Sequence, residues 1–195
     1  MPDFRHQTGY QQLSEFQQEI MRVRHTAELV HDETAMQKTY DSLAQQITEA
    51  LADRNPVLLP VMMGGLYLCG QLMQRLDFPL EVDYLHASRY RDKLQGDQLV
   101  WPVRPSDKIA GRSVLIIDDI LDQGVTLAGI IESVKIAGAA ELESVVLTRK
   151  QCKRQQEVEV GFIGVDVPDR YVFGCGMDYK GYWRNLPGVY AVADT

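Results

Sequence analysis

Cysteine is scarce in this 195-residue chain, and no long apolar run occurs in it. Cys69, Cys152 and Cys175 are odd in number, far apart and free of any C-x-x-C pairing. That argues against a disulfide framework or a structural zinc site and leaves reduced thiols in a cytoplasmic protein as the expectation. His6, His25, His31 and His86 stand at no metal-ligand spacing. No segment approaches the ~18 apolar residues of a membrane span. The polar N-terminal stretch MPDFRHQTGYQQLSEFQQEIMRV lacks the apolar core of a signal peptide. Basic charge is short as well. Twenty Lys and Arg against 27 Asp and Glu leave a net charge of −7, so no general nucleic-acid face is expected; a local basic pocket stays open. Repeats, linkers and low-complexity tracts are also missing.

What is present reads as one α/β domain, long enough to bury a full core. Residues 9–25 carry a weak helical pattern and residues 33–53 a strong one. In the latter, Met36, Tyr40, Leu43, Ile47 and Leu51 recur at three- and four-residue steps behind a plausible N-cap, Asp32, and Asn55-Pro56 ends the segment. VLLPVM (57–62) is a short buried run, followed by Gly64-Gly65 and the helical LYLCGQLMQRL. LEVDYLHA (80–87) alternates like a strand. From Ser88 to Arg112 the pattern fails: the stretch is polar, with two prolines and two glycines. A loop this long is expected to be functional or disordered. SVLIID (113–118) reads as a strand, 124–138 as a helix ended by Gly138, and 141–150 as a strand. Two short strands split by Pro168 follow within 160–174, and a last one at 188–194. Alternation from 57 to 150 implies a mostly parallel twisted sheet flanked by helices.

The most informative stretch is SVLIIDDILDQGVTL, 113–127. An apolar strand runs into Asp118-Asp119, then Asp122, then Gln-Gly-Val-Thr where a helix begins. In such sheets ligands sit beyond the carboxyl ends of the strands. Gly124 lets backbone approach a ligand, and the amides of Gly124 to Thr126 open the helix without intrahelical partners, which makes an anion site. Carboxylates beside a phosphate would repel it. They fit if they accept hydrogen bonds from sugar hydroxyls, hold a metal through water, or stabilise positive charge at a sugar C1′. Plain capping of a helix is the other reading of such acids.

With these residues on the page, VLIIDDILDQGVTL resembles the ribose-phosphate signature of the type I phosphoribosyltransferases. The tail VDVPDRYVFGCGMDYKGYWRNLPGVYAV is similar to the base-binding region of their 6-oxopurine branch, and VMMGGLYLCGQL to their pyrophosphate loop; together the likeness covers about residues 25–195. The resemblance implies that fold, with a core of about 33–165, a small hood formed by about 1–32 and 166–195, and a lid of about 88–112, in a single domain. It implies transfer of the phosphoribosyl group of 5-phospho-α-D-ribosyl 1-pyrophosphate (PRPP) to hypoxanthine or guanine, giving IMP or GMP and pyrophosphate, with Mg²⁺. By position, Asp118 and Asp119 would hold the ribose hydroxyls, Gln123, Gly124, Val125 and Thr126 the 5′-phosphate, and Met63, Gly64, Gly65 and Arg184 the pyrophosphate. Asp122 would be the acid/base group near N7 of the purine, since a carboxylate can accept the proton the ring must lose. Lys150 would donate to O6, Tyr171 would stack on the base, Val172 would meet its edge through backbone, and Asp178 would ligate Mg²⁺. Arg89 and Tyr90 would serve the lid. A cis peptide precedes the family's pyrophosphate loop, here Met62–Met63. Met63 stands where members often carry a basic residue, Gln123 where a small hydroxyl residue is common, and Arg89-Tyr90 where a Ser-Tyr pair is found. The family forms dimers and tetramers, so a homodimer or homotetramer is expected. Two other readings remain open at this point: transfer to another base, and a catalytically weak nucleotide sensor of the same fold.

Overall fold

The structure is a computed structural model; it describes the backbone of residues 14–92 and 96–193, and the side chains of these except 88–92 and 96–98. Ser14 caps helix α1, Glu15–Thr26, in a capping box with Gln17. Strand β1, Glu28–His31, was not foreseen. Asp32 then caps α2, Glu33–Leu51, its Oδ1 accepting the Ala35 amide at 2.7 Å. All five residues of the expected α2 stripe are buried, each worth about 1.5–3 kcal/mol against exposure.

β2 (Val57–Met62) leads into α3 (Gly65–Met73), followed by β3 (Glu81–Val82) and β4 (Leu85–Asp92). β4 and β5 (Gly96–Val103) form an antiparallel hairpin, with Ser88 opposite Val100 and Asp92 opposite Gly96. The expectation of a patternless loop from 88 to 112 is therefore corrected: more than half of it is a strand pair, closed by a short 3-10 helix at Asp107–Ile109. The stretch is polar and is interrupted by Gly96 and Pro102, so period-two hydrophobic alternation is weak in it. At the base of the hairpin Leu99 and Trp101 pack against the core. Pro102 is tolerated because β5 is an edge strand.

β6 (Ser113–Leu121), α4 (Val125–Ile136), β7 (Glu141–Lys150) and β8 (Phe162–Val167) complete the main sheet. Its order is β5-β4-β2-β6-β7-β8, with β3 also beside β2, and every pairing except β4–β5 is parallel. Central strands of a parallel sheet bury both faces, and β6 shows it. Leu115 and Ile117 join the core under α2 and α3; Val114 and Ile116 join the one under α4.

Pro168 splits the last strands as expected, but it also sends them to different sheets. β8 edges the main sheet, whereas β9 (Val172–Phe173) pairs with β10 (Val189–Ala191), which pairs with β1. This small antiparallel sheet joins both ends of the chain. Its own core is Val23, Phe173 and Tyr190, with Ala27, Tyr179, Trp183 and Leu186 packed around it.

Candidate active site

The β6–α4 junction forms as its residue types require. β6 runs three residues further than its sequence pattern suggested, so Asp118 and Asp119 lie within the strand. Asp118 is buried, and its Oδ1 accepts the Asp119 amide at 3.0 Å. Thr148 on β7 donates to the Asp119 carbonyl at 3.0 Å. Gly124 then turns the chain at φ +80 and stands as the N-cap of α4, with no side chain capping the helix. A Cβ there would lie 2.0 Å from the Gln156 carbonyl oxygen, and the Gln156 amide donates to the Gln123 carbonyl at 3.1 Å. The first amides of α4 are thus free of intrahelical partners and open to an anion.

The second glycine loop sits against the first. The peptide between Met62 and Met63 is cis, and Gly64 is the N-cap of α3, again without a capping side chain. A Cβ on Gly64 would lie 1.9 Å from Asp119 Oδ2, and one on Gly65 2.2 Å from the Ile117 carbonyl oxygen. Only glycines let the α3 N-terminus rest on β6 in this way. Two uncapped helix N-termini therefore converge on the carboxylate pair.

A cleft of about 440 Å³ results, lined by residues 61–64, 86–87 and 118–127 together with Asp178 and Arg184. The structure thus brings Met63, Gly64, Asp118, Asp119, Asp122, Gln123, Gly124, Val125, Thr126, Asp178 and Arg184 to one place. Gly65 lies just behind it. Lys150 reaches it through Asp122. Tyr171 and Val172 stand in the small sheet, outside the lining. Tyr171 is half exposed, its ring edge-on to Tyr179 at 5.5 Å. Val172 is buried and pairs with Ala191, so it offers only backbone. The backbone of Arg89 and Tyr90 belongs to β4; their side chains lie outside the described residues.

Asp122 is the most heavily engaged carboxylate in the site. Lys150 Nζ meets its Oδ2 at 2.9 Å, and Gln123 Nε2 donates to Oδ1 at 3.2 Å. The Cys152 thiol lies 3.7 Å from Oδ1 and 3.7 Å from the Asp122 carbonyl oxygen. Burial pushes the carboxyl up, but the hydrogen bond and charge of Lys150, aided by Gln123 and Cys152, outweigh it and hold Asp122 below the usual carboxylate range. It is therefore a charged carboxylate at neutral pH. Asp118 and Asp119 behave in the opposite sense. Burial raises both, and for Asp118 the charge of Asp119 raises it further, while Arg184 partly offsets the effect at Asp119. A buried pair held this way calls for donors such as hydroxyls.

Arg184 ties the tail to the strand pair. Its Nη2 meets Asp178 Oδ1 at 2.5 Å, its Nη1 lies 3.7 Å from Asp119 Oδ2, and Nη1 donates to the Gly176 carbonyl at 2.5 Å. Asp178 Oδ2 accepts the Gly181 amide at 2.6 Å. Among the described residues no group of three or more His, Cys, Asp or Glu could hold a metal ion. A single carboxylate is a donor of the kind Mg²⁺ takes, since that ion keeps several waters and binds through one or two carboxylates plus substrate oxygens. Each Asp178 oxygen retains a lone pair for such a role.

Four members of the site were not foreseen. His86 and Ala87 line the cleft because β4 runs parallel to β2 and begins beside the end of β2, with His86 opposite Met62. Cys152 and Gln156 belong to the 151–161 segment that folds back onto Gln123 and Gly124. The available signal was Gly124 itself, since a glycine held at positive φ often has backbone pressed against it.

Comparison with known proteins agrees with this geometry. Residues 26–180 match the phosphoribosyl transferase domain family. The chain is 31% identical over 162 residues to a hypoxanthine-guanine-xanthine phosphoribosyltransferase of Tritrichomonas foetus, covering 83% of this chain and 88% of that one. It is 32% identical over 158 residues to a hypoxanthine-guanine phosphoribosyltransferase of Bacillus subtilis, covering 80% and 88%. Among solved structures, a hypoxanthine phosphoribosyltransferase of Staphylococcus aureus superposes with a TM-score of 0.77 at 27% identity, over 87% of this chain and 94% of that one.

Proposed function

The chain belongs to the phosphoribosyltransferase family, and from that premise we propose that it transfers the phosphoribosyl group of PRPP to a 6-oxopurine, hypoxanthine or guanine, releasing IMP or GMP and pyrophosphate in purine salvage. The observation that carries this reading is the Lys150–Asp122 pair, 2.9 Å apart beside the uncapped α4 N-terminus. A 6-oxopurine with its proton on N7 presents an acceptor, O6, next to a donor, N7–H. Lys150 can only donate and the Asp122 carboxylate can only accept. A 6-aminopurine turns a donor toward Lys150 and loses that match.

In the reaction so read, N9 attacks C1′, the bond from C1′ to the pyrophosphate oxygen breaks, and the N7 proton passes to Asp122. The amides from Gly124 to Thr126 hold the 5′-phosphate. Asp118 and Asp119 accept the ribose hydroxyls and face the positive charge that develops at C1′. Amides at Gly64 and Gly65, with the planar fork of Arg184, receive the pyrophosphate. Mg²⁺, when bound, supplies positive charge to the pyrophosphate oxygens, with Asp178 as its protein ligand. Tyr171 offers its half-exposed ring to the base, and Val172 its backbone. The β4–β5 arm, with Arg89 and Tyr90 in β4, serves as the lid that shields the site from water.

All three cysteines are free, in keeping with the reducing cytoplasm where we place the protein. No helix among the described residues is long and apolar enough to cross a membrane. Leu66 and Met73 are exposed on one face of α3, one turn either side of Gly70, and support contact with a second copy in a homodimer or homotetramer.

The test is direct: incubate the protein with PRPP and Mg²⁺ and, separately, hypoxanthine, guanine, xanthine, adenine, orotate and uracil, and assay nucleotide formation. Turnover confined to 6-oxopurines is expected. Turnover with adenine or a pyrimidine alone would reassign the base. Nucleotide binding without turnover would point to a sensor.

Lys150→Met carries a second expectation. Losing a charged hydrogen bond of about 1.5–3 kcal/mol should raise the KM for the base roughly 10- to 200-fold, with the KM for PRPP changed far less. Equal losses would move Lys150 to phosphate binding or folding. The pH profile should move too. Lys150 is what holds Asp122 below the usual range, against burial that raises it. Without it, the acidic limb of kcat should shift to higher pH.

A further inference from the structure

All of α1 but its last residue precedes the residues that match the family, which begin at 26, yet the helix is bound tightly to the turn between Asp178 and Arg184. Tyr179 and Tyr182 exchange both backbone hydrogen bonds at 2.9 Å around Lys180-Gly181. Lys180 has φ +50 and Gly181 φ +88, positive at both central positions as in a type I′ turn, where Asn-Gly is favoured. Lysine has no intrinsic preference for that conformation, and Trp183, at φ +70, has none either. Such strain persists only where the surroundings over-determine it.

Here the surroundings are α1. Glu19 Oε1 accepts from Lys180 Nζ at 2.6 Å and from the Tyr179 hydroxyl at 3.0 Å. The Ile20 carbonyl accepts from Trp183 Nε1 at 2.9 Å. The Phe16 ring stands edge-on to Tyr182 at 5.7 Å. Both bulky residues with positive φ in this turn, Lys180 and Trp183, dock their side chains on α1, as do Tyr179 and Tyr182 beside them. They flank the segment between Asp178, which accepts from the Gly181 amide, and Arg184, which follows Trp183.

We propose that α1 is a brace: through Glu19 and the Ile20 carbonyl it holds the 179–183 turn in the shape that aims Asp178 and Arg184 into the cleft, with Glu19 as a positioning residue. A lone exposed ion pair contributes little. The force of the arrangement lies in clamping both strained residues at once. The assignment rests on the transferase reading, in which Asp178 and Arg184 serve PRPP.

The test uses the full chain with Trp101→Phe as background, so that emission reports Trp183, the other tryptophan. Glu19→Ala should shift Trp183 emission to the red and raise the KM for PRPP about three- to ten-fold, with kcat within about two-fold. Glu19→Gln, which keeps an acceptor for Tyr179, should recover most of the loss. An unchanged KM for PRPP overturns the brace, whether or not emission moves. A raised KM without the spectral change overturns it too, by assigning Glu19 to action at a distance through charge. If Glu19→Ala does not fold, Trp183→Phe, which deletes the indole N–H and keeps the bulk, is judged by the KM for PRPP alone. Wild-type protein without turnover sinks the transferase reading alone. The brace is then decided by calorimetry of inorganic pyrophosphate with Mg²⁺: weaker binding in Glu19→Ala supports it, and equal binding overturns it.

Discussion

Asp122→Asn should lower kcat by roughly 10²–10⁴-fold, the usual contribution of a positioned proton acceptor, while the KM for PRPP stays within about three-fold. The asparagine carbonyl can still accept from Lys150, which meets Asp122 Oδ2 at 2.9 Å, while its amide nitrogen replaces the Oδ1 that accepts from Gln123 at 3.2 Å, so only the weaker contact is lost. The fold and the Lys150 position are therefore kept, and what disappears is the capacity to take a proton. Wild-type-like turnover would remove Asp122 from acid/base work. Single-turnover measurement should locate the loss in the chemical step. The acidic limb of the kcat profile, set in the wild type by a carboxyl held below its ordinary value, should vanish rather than shift.

Asp118→Asn should separate function from stability in opposite directions. Turnover with saturating PRPP should fall about 10- to 200-fold, as expected for losing a charged hydrogen bond of about 1.5–3 kcal/mol to a ribose hydroxyl. Thermal stability at pH 7 should rise. Burial and the neighbouring Asp119 raise the Asp118 carboxyl well above its ordinary value. A raised carboxyl favours the folded state below the unfolded pKa and loses that contribution as pH rises through the folded one. Neutrality lies above the unfolded value, so keeping this carboxyl in its buried place costs stability there, and the neutral amide relieves that cost. A gain of about 1 kcal/mol would appear as roughly 2–4 °C in Tm for a chain of this size. The asparagine Oδ1 can still accept the Asp119 amide, which the aspartate accepts at 3.0 Å. The difference in Tm between wild type and variant should shrink in acid. A lower Tm at pH 7 would mean that the pair is compensated in the folded protein.

The residues that announced themselves did so through strong local physics. The α2 stripe, the Asp32 cap and the run into Asp118 were legible because helix period, capping chemistry and two-sided burial each act within a few residues. Gly124 announced the turn before α4 for the same reason. The parts that stayed hidden depend on distant partners. β1 is four residues long and partly exposed, and its partner β10 lies at the other end of the chain. The β4–β5 arm is polar and broken by Gly96 and Pro102, so hydrophobic alternation did not reveal it. Cys152 and Gln156 reach the site because a segment folds back, which no spacing encodes. The N-terminal helix offered only a weak pattern, and its value lies in what Glu19 and Ile20 touch at the far end of the chain.

The small sheet has a consequence for how the molecule comes apart. Its inner face joins the core under α2 and α3 through Val172, Val189 and Ala191, whereas its outer face, under α1, rests on the modest cluster of Val23, Phe173 and Tyr190. Free energies of local opening follow buried apolar area, so regions of this kind open first. Amides of α1 and of the 179–183 turn, which depend on the modest cluster, should exchange with solvent sooner than those of Ile116 or Val146. Asp178, Arg184 and Tyr171 ride on this sheet and its turns, whereas Asp118, Asp119 and Asp122 ride on β6 and its edge. Mild denaturant will therefore dissolve one wall of the cleft while the other stands, and catalysis will fade before the parallel sheet begins to melt.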